Sequence, residues 1–235
     1  MFGRYEMGFS YADPNIRIQL TDNAGLIKYE RDCAGQKESR YLGRTFSAIH
    51  ILPVEPVNLP ETLTHFLEIS FPSLLISPGA EQTVYLKFPV EIGVFLESGG
   101  KTDPLDVFSL APVKFSLYGS PSSGVITRWY ESDLYTDIPV TDPHREGLMS
   151  LHIKNSGTET TTVSRAVFDS SSMSLFYGDR VAMTATMEIL SPLIAHTTFS
   201  DTAPADCPNR AIDLYLARGF SITNRKGYFM EAGTI

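Results

Sequence analysis

Cysteine is nearly absent from this chain of 235 residues, which has only Cys33 and Cys207. Two thiols this far apart, each in a polar, turn-like setting, make no disulfide framework and no CxxC metal or redox motif. They read as two unpaired thiols in a reducing compartment, and one long-range bridge between them is the alternative. A nucleophilic cysteine would need a neighbouring His and a depressed pKa, and the sequence offers neither. Positive charge is also short. With 19 Lys and Arg against 27 Asp and Glu, the net charge is -8. That balance lacks the cationic footprint of a nucleic-acid binder and disfavours an anionic membrane surface. No window approaches the ~18 uninterrupted apolar residues of a spanning helix. The start, Met1-Phe-Gly-Arg-Tyr-Glu-Met-Gly-Phe9, lacks a basic segment followed by an apolar one. Membrane insertion and secretion are therefore not expected, and the cytoplasm is the expected location.

Catalytic signatures are missing as well. No GxSxG elbow, GxxxxGK[ST] loop or GxGxxG turn occurs. The histidines, His50, His65, His144, His152 and His196, form no HxH or HExxH pair. The Ser- and Thr-rich stretches 120–123, 158–164 and 170–172 suit turns and wet strand faces better than nucleophiles. No metal and no cofactor is expected.

What the chain does have is period-2 alternation. Ile16, Ile18 and Leu20 alternate with Arg17 and Gln19, and Val84, Leu86 and Phe88 with Tyr85 and Lys87. Leu151 and Ile153 flank His152, and Val181 to Ile189 repeats the pattern over nine residues. Such alternation predicts antiparallel strands with one buried and one wet face. Seventeen glycines and fifteen prolines recur along the chain, the rhythm of a β-sandwich. The fold class expected is all-β, built of antiparallel β-sandwich units, with at most one or two short helices. Asn155-Ser-Gly157 predicts a hairpin joining 149–154 to 160–168, and Gly178-Asp179 one joining 173–177 to 180–190. The segment 206–219 reads equally as a helix, with Pro208 near its start and Gly219 at its end, or as a strand leading to a hairpin over 220–230. Ser98-Gly-Gly-Lys-Thr-Asp-Pro104 is the most polar, breaker-rich gap near the middle. It divides the chain into an N-terminal β domain, 1–103, and a C-terminal sandwich, 104–235, with one elaborated sandwich as the alternative.

A family resemblance adds to this. Lys87-Phe-Pro-Val-Glu-Ile-Gly-Val-Phe95, Lys114-Phe-Ser-Leu-Tyr-Gly119, Gly124-Val-Ile-Thr-Arg-Trp129, Ile153-Lys-Asn155 and Val163-Ser-Arg-Ala-Val-Phe168 together resemble an archaeal family. It is the domain-of-unknown-function family numbered four hundred and thirty-two. The resemblance implies an archaeal source and a cytoplasmic location, with no activity and no catalytic residues to transfer.

The densest group of aromatic and charged residues is Arg128-Trp129-Tyr130-Glu131-Ser132-Asp133-Leu134-Tyr135, around the single tryptophan. Alternation puts Trp129 on one face and Tyr130 and Arg128 on the other; Trp129 is expected inside between two sheets, and an exposed Tyr130 beside Arg128 could stack on a sugar, a base or a partner side chain. Glu131 and Asp133 share a strand face, as a hydrolytic carboxylate pair would, although acids two apart more often mark a solvated edge. His144 and Arg145 lie in a turn-like run nearby in sequence. Two readings follow. The leading one is a non-enzymatic β-sandwich that binds another protein or its own copy through a sheet face or edge. The alternative is a hydrolase or carbohydrate-binding protein using Arg128, Tyr130, Glu131, Asp133 and Tyr135 with His144 and Arg145.

Overall fold

The computed structural model describes residues 1–43, 46–61, 63–214 and 228–230. Alternating side chains drive nearly every element into strands, as the sequence predicts. The chain opens with β1 (Gly3–Tyr5) and β2 (Ser10–Ala12), runs through β3 (Ile16–Asn23), β4 (Leu26–Cys33) and β5 (Gln36–Leu42), and returns beside β1 with β6 (Ala48–Val54). Next come β7 (Phe66–Ile76), β8 (Glu81–Pro89), β9 (Glu91–Ser98) and β10 (Lys101–Phe108). The rest is β11 (Phe115–Tyr118), β12 (Val125–Glu131), β13 (Glu146–Asn155), β14 (Thr161–Asp169), β15 (Phe176–Tyr177) and β16 (Val181–Ser191), then β17 (Ile194–Ser200), β18 (Asn209–Arg210) and β19 (Tyr228–Met230). A 3-10 turn, Ser170–Ser172, separates β14 from β15.

Among the described residues, four sheets share two principal cores. The orders β1-β6-β9-β10 and β2-β3-β4-β5 close over Ile16, Ile18, Tyr29, Ile51, Ile92 and Val94. The orders β11-β12-β7-β14 and β18-β15-β16-β13-β8, with β17 beside β16 and β19 beside β17, close over a core that includes Leu67, Ile69, Leu86, Met149, Leu151 and Phe168. Each such side chain taken out of water contributes roughly 1.5–3 kcal/mol. Most ladders are antiparallel. Among the described residues two run parallel, β12 with β7 and β13 with β16.

The division expected between 103 and 104 falls inside β10, which pairs with β9 from Lys101↔Ser98 to Phe108↔Ile92. Gly99 and Gly100 both take positive φ, 56° and 78°, so this polar gap is a tight hairpin turn. The cores alternate along the chain, with β7 and β8 joining the second before β9 and β10 return to the first.

The Gly178 hairpin forms as expected, Phe176 opposite Ala182 and Tyr177 opposite Val181. The Asn155 hairpin does not. Both of its arms are strands, but β13 lies between β16 and β8 while β14 pairs with β7 in the other sheet. Asn155 explains the crossing. It is fully buried, its Nδ2 donates to the carbonyls of Ile76 and Glu159, and its Oδ1 accepts from Gly157 N–H. This side chain fastens a corner between sheets where the sequence suggests a hairpin turn.

In the ambiguous stretch 206–219, Asn209–Arg210 pairs with β15, and 215–219 lie outside the described residues, as do 220–227 of the expected hairpin. A third, smaller cluster joins the two sheet pairs. Leu52, Val54 and Phe95 meet Leu214 there, with Val107, Tyr177 and Ile212 packed around them. Cys33 and Cys207 are both buried free thiols in different cores.

Candidate functional site

The face assignment on β12 is the reverse of the sequence expectation. Arg128 stands opposite Leu67 in the parallel ladder and shares that strand's inward face, whereas Trp129 stands opposite Glu68. Arg128 is therefore fully buried and Trp129 half-buried. The indole Nε1 donates to Ser70 Oγ at 2.9 Å, and the Lys114 ammonium sits 5.4 Å from the ring centroid. Arg128 donates from Nε to Pro56 O and from Nη1 to Lys114 O, each at 3.2 Å, and its guanidinium lies 5.9 Å from the Phe115 ring. Its Nη2 has no hydrogen-bond partner.

Three of the sequence-selected residues do converge. Tyr130 Oη donates to Glu146 Oε1 at 2.9 Å, Lys87 Nζ reaches Glu146 Oε2 at 2.8 Å, and the same ammonium is 6.0 Å from the Tyr135 ring. Tyr135 Oη donates to Asp133 Oδ2 at 3.3 Å. Burial, then the hydrogen bond to Glu146, raises the Tyr130 pKa, so this phenol stays protonated. Glu131 is exposed on the strand's end.

His144 and Arg145 belong elsewhere. His144 packs edge-on against Phe2 and Tyr11, with Nδ1 3.4 Å from Asp13. Burial lowers its pKa, and the Asp13 charge opposes the shift. Arg145 Nε is 3.5 Å from Asp142, and its Nη1 donates to Leu110 O.

Other features had weaker sequence signals. Glu91, wholly buried, takes a hydrogen bond from Asn58 N–H on Oε2 at 3.0 Å, while Oε1 has no partner. Burial raises its pKa to about 7, against the pull of the Asn58 N–H and the Arg128 charge. The clue was a lone carboxylate in the apolar run Phe88-Pro-Val-Glu-Ile-Gly-Val-Phe95. At the far end of β12, an open groove of about 770 Å³ lies between the tips of the β11–β12 and β16–β17 hairpins. Tyr118, Val125, Leu190, Leu193, Ile194 and Tyr228 line it, and none of the sequence-selected residues does.

Beside the groove runs the edge strand β11. Phe115 and Leu117 share one face, Leu117 lies opposite Ile126, and all three are exposed. The other long edges are guarded. β5 displays Lys37, Glu38 and Arg40, β10 carries Lys101, Asp103 and Pro104, and β8 carries Glu81 and Lys87. β14 is covered, its Val167 carbonyl accepting from Thr197 Oγ1 and its Val167 N–H meeting Met230. The β11 run Phe115-Ser-Leu-Tyr118 has no charge and no proline to oppose another strand.

A family model described as a protein of unknown function (DUF432) matches residues 1–231. The chain belongs to that family. No curated protein and no solved structure matches it.

Proposed function

We propose that this member of the family of unknown function DUF432 is a non-enzymatic association module whose β11 edge pairs with the same strand of a second copy. The observation that carries the reading is the uncharged edge Phe115-Ser-Leu-Tyr118, with exposed Phe115, Leu117 and Ile126 on one face. An edge strand leaves alternate N–H and C=O groups without ladder partners, and an apolar one is a template for strand addition. Antiparallel pairing centred on Ser116 sets Phe115 of each copy beside Leu117 of the other. Closed two-fold assembly of this kind is the commonest form of self-association. The net charge of -8 disfavours contact between acidic surfaces, and this strip is free of charge.

The enzymatic alternative has less support from the geometry. Tyr130, Glu146 and Lys87 satisfy one another, and Arg128 is committed to backbone carbonyls inside the protein. Sedimentation velocity over a concentration series tests the association. The wild type is expected to form a dimer that Leu117→Lys returns to monomer without loss of β-sheet circular dichroism. A wild type that stays monomeric throughout, or a Leu117→Lys variant that dimerises equally well, would overturn the reading.

A further inference from the structure

The cluster joining the two sheet pairs is reached through a strap running from β18 to Leu214. Ala211 N–H donates to Leu175 O, and Leu214 inserts among Leu52, Val54 and Phe95. Beneath the strap is a cavity of about 10 Å³, room for about one water, lined in part by Val54, Glu55, Ser174, Arg210 and Asp213. Glu55 is 4% exposed, and neither of its carboxyl oxygens makes a hydrogen bond of ordinary geometry.

The side chain that faces Glu55 is the Asp213 carboxyl, another acceptor. Two carboxylates cannot hydrogen-bond to each other, but a carboxylic acid and a carboxylate can. Burial first, and then the Asp213 charge, hold the Glu55 pKa well above the ordinary carboxylate range, against a smaller opposing pull from the backbone of Glu55 and Leu214. Among the described residues lining the cavity, Arg210 is the one cation. Its Nη2 is shared between Ser174 Oγ at 2.9 Å and Asp201 at 3.4 Å.

We propose that Glu55 and Asp213 share one proton and that this proton latches the strap onto the first sheet pair. The latch is pH-sensitive in a defined direction. When the strap lifts, Glu55 meets water and regains ordinary acidity, so opening releases the shared proton wherever the pH lies between the ordinary carboxylate range and the raised Glu55 value. In that window each pH unit makes opening about tenfold easier, and above it the slope vanishes.

Hydrogen exchange of the backbone amides of 209–214, corrected for the intrinsic pH dependence of exchange, measures the opening. In the wild type, protection is expected to fall about tenfold per pH unit across the window. Glu55→Gln donates an amide hydrogen bond to Asp213 at every pH, so its protection is expected to stay level. Asp213→Asn leaves Glu55 buried but removes the neighbouring charge, so if Glu55→Gln does not fold, the Asp213→Asn profile is expected to fall over a narrower pH window than that of the wild type. A wild-type profile as flat as that of Glu55→Gln, an Asp213→Asn window as wide as that of the wild type, or protection at high pH that appears with added Ca²⁺ or Mg²⁺ and vanishes with chelator, would overturn the shared proton.

Discussion

Glu91→Gln is expected to stabilise the protein at neutral and alkaline pH. The Glu91 carboxyl is fully buried and titrates at about 7, against an ordinary value of 4.5. Its raised pKa means that the folded state binds the proton more tightly than the unfolded chain does. The folded state therefore loses stability as the pH rises from 4.5 towards 7, and the loss is complete above that range. A difference of about 2.5 pKa units at 1.36 kcal/mol each gives about 3 kcal/mol. The pull of Arg128 on the carboxylate is already contained in that value, because Arg128 opposes the shift that burial causes. The neutral glutamine amide mimics the protonated acid, so wild type and variant should match near pH 4.5 and separate by about 3 kcal/mol at about pH 8. Urea denaturation at half-unit pH steps measures the difference and cancels every other titrating group. A variant less stable than wild type at that alkaline end would refute the reasoning, since Arg128 would then stabilise the charged carboxylate by more than burial costs it.

Arg128→Ala removes the donor to Pro56 O and Lys114 O and leaves Glu91 without its nearby positive charge. A loss of about 3–5 kcal/mol is expected by chemical denaturation, together with a further rise in the Glu91 pKa. Asn155→Ala leaves the Ile76 and Glu159 carbonyls and the Gly157 N–H without their side-chain partner in a buried corner. Thermal melting should report a loss of roughly 2–3 kcal/mol.

Strand periodicity was the most legible part of the fold, because one wet and one dry face impose alternation on the residues themselves. Ile16, Ile18 and Leu20 are buried as their spacing predicts, and so are Val181, Met183, Ala185, Met187 and Ile189. Connectivity was harder to read. Asn155-Ser-Gly157 carries hairpin chemistry, and only the buried contacts of the Asn155 side chain reveal a corner between sheets. Gly99-Gly100 resembles a linker in composition, yet its two positive φ values make it a turn. The Arg128 and Trp129 faces were inverted because alternation alone gives two faces without saying which one faces the core. The register against Leu67 and Glu68 of a distant strand decides that. The buried acids had a sequence trace, since Glu55 and Glu91 each end a Pro-Val-Glu triplet in an apolar setting. Their partners, Asp213 and Arg128, come from remote parts of the chain and cannot be paired with them by spacing.

Exchange of the β11 backbone amides at low and high protein concentration tests the association through this edge most directly. The outward-facing amides of Phe115 and Leu117 are expected to exchange quickly in dilute solution and to slow as dimer forms, while those of the guarded edge β5 do not change. Exchange at β11 that is independent of concentration, in solutions where sedimentation shows a dimer, would contradict it by placing the contact elsewhere.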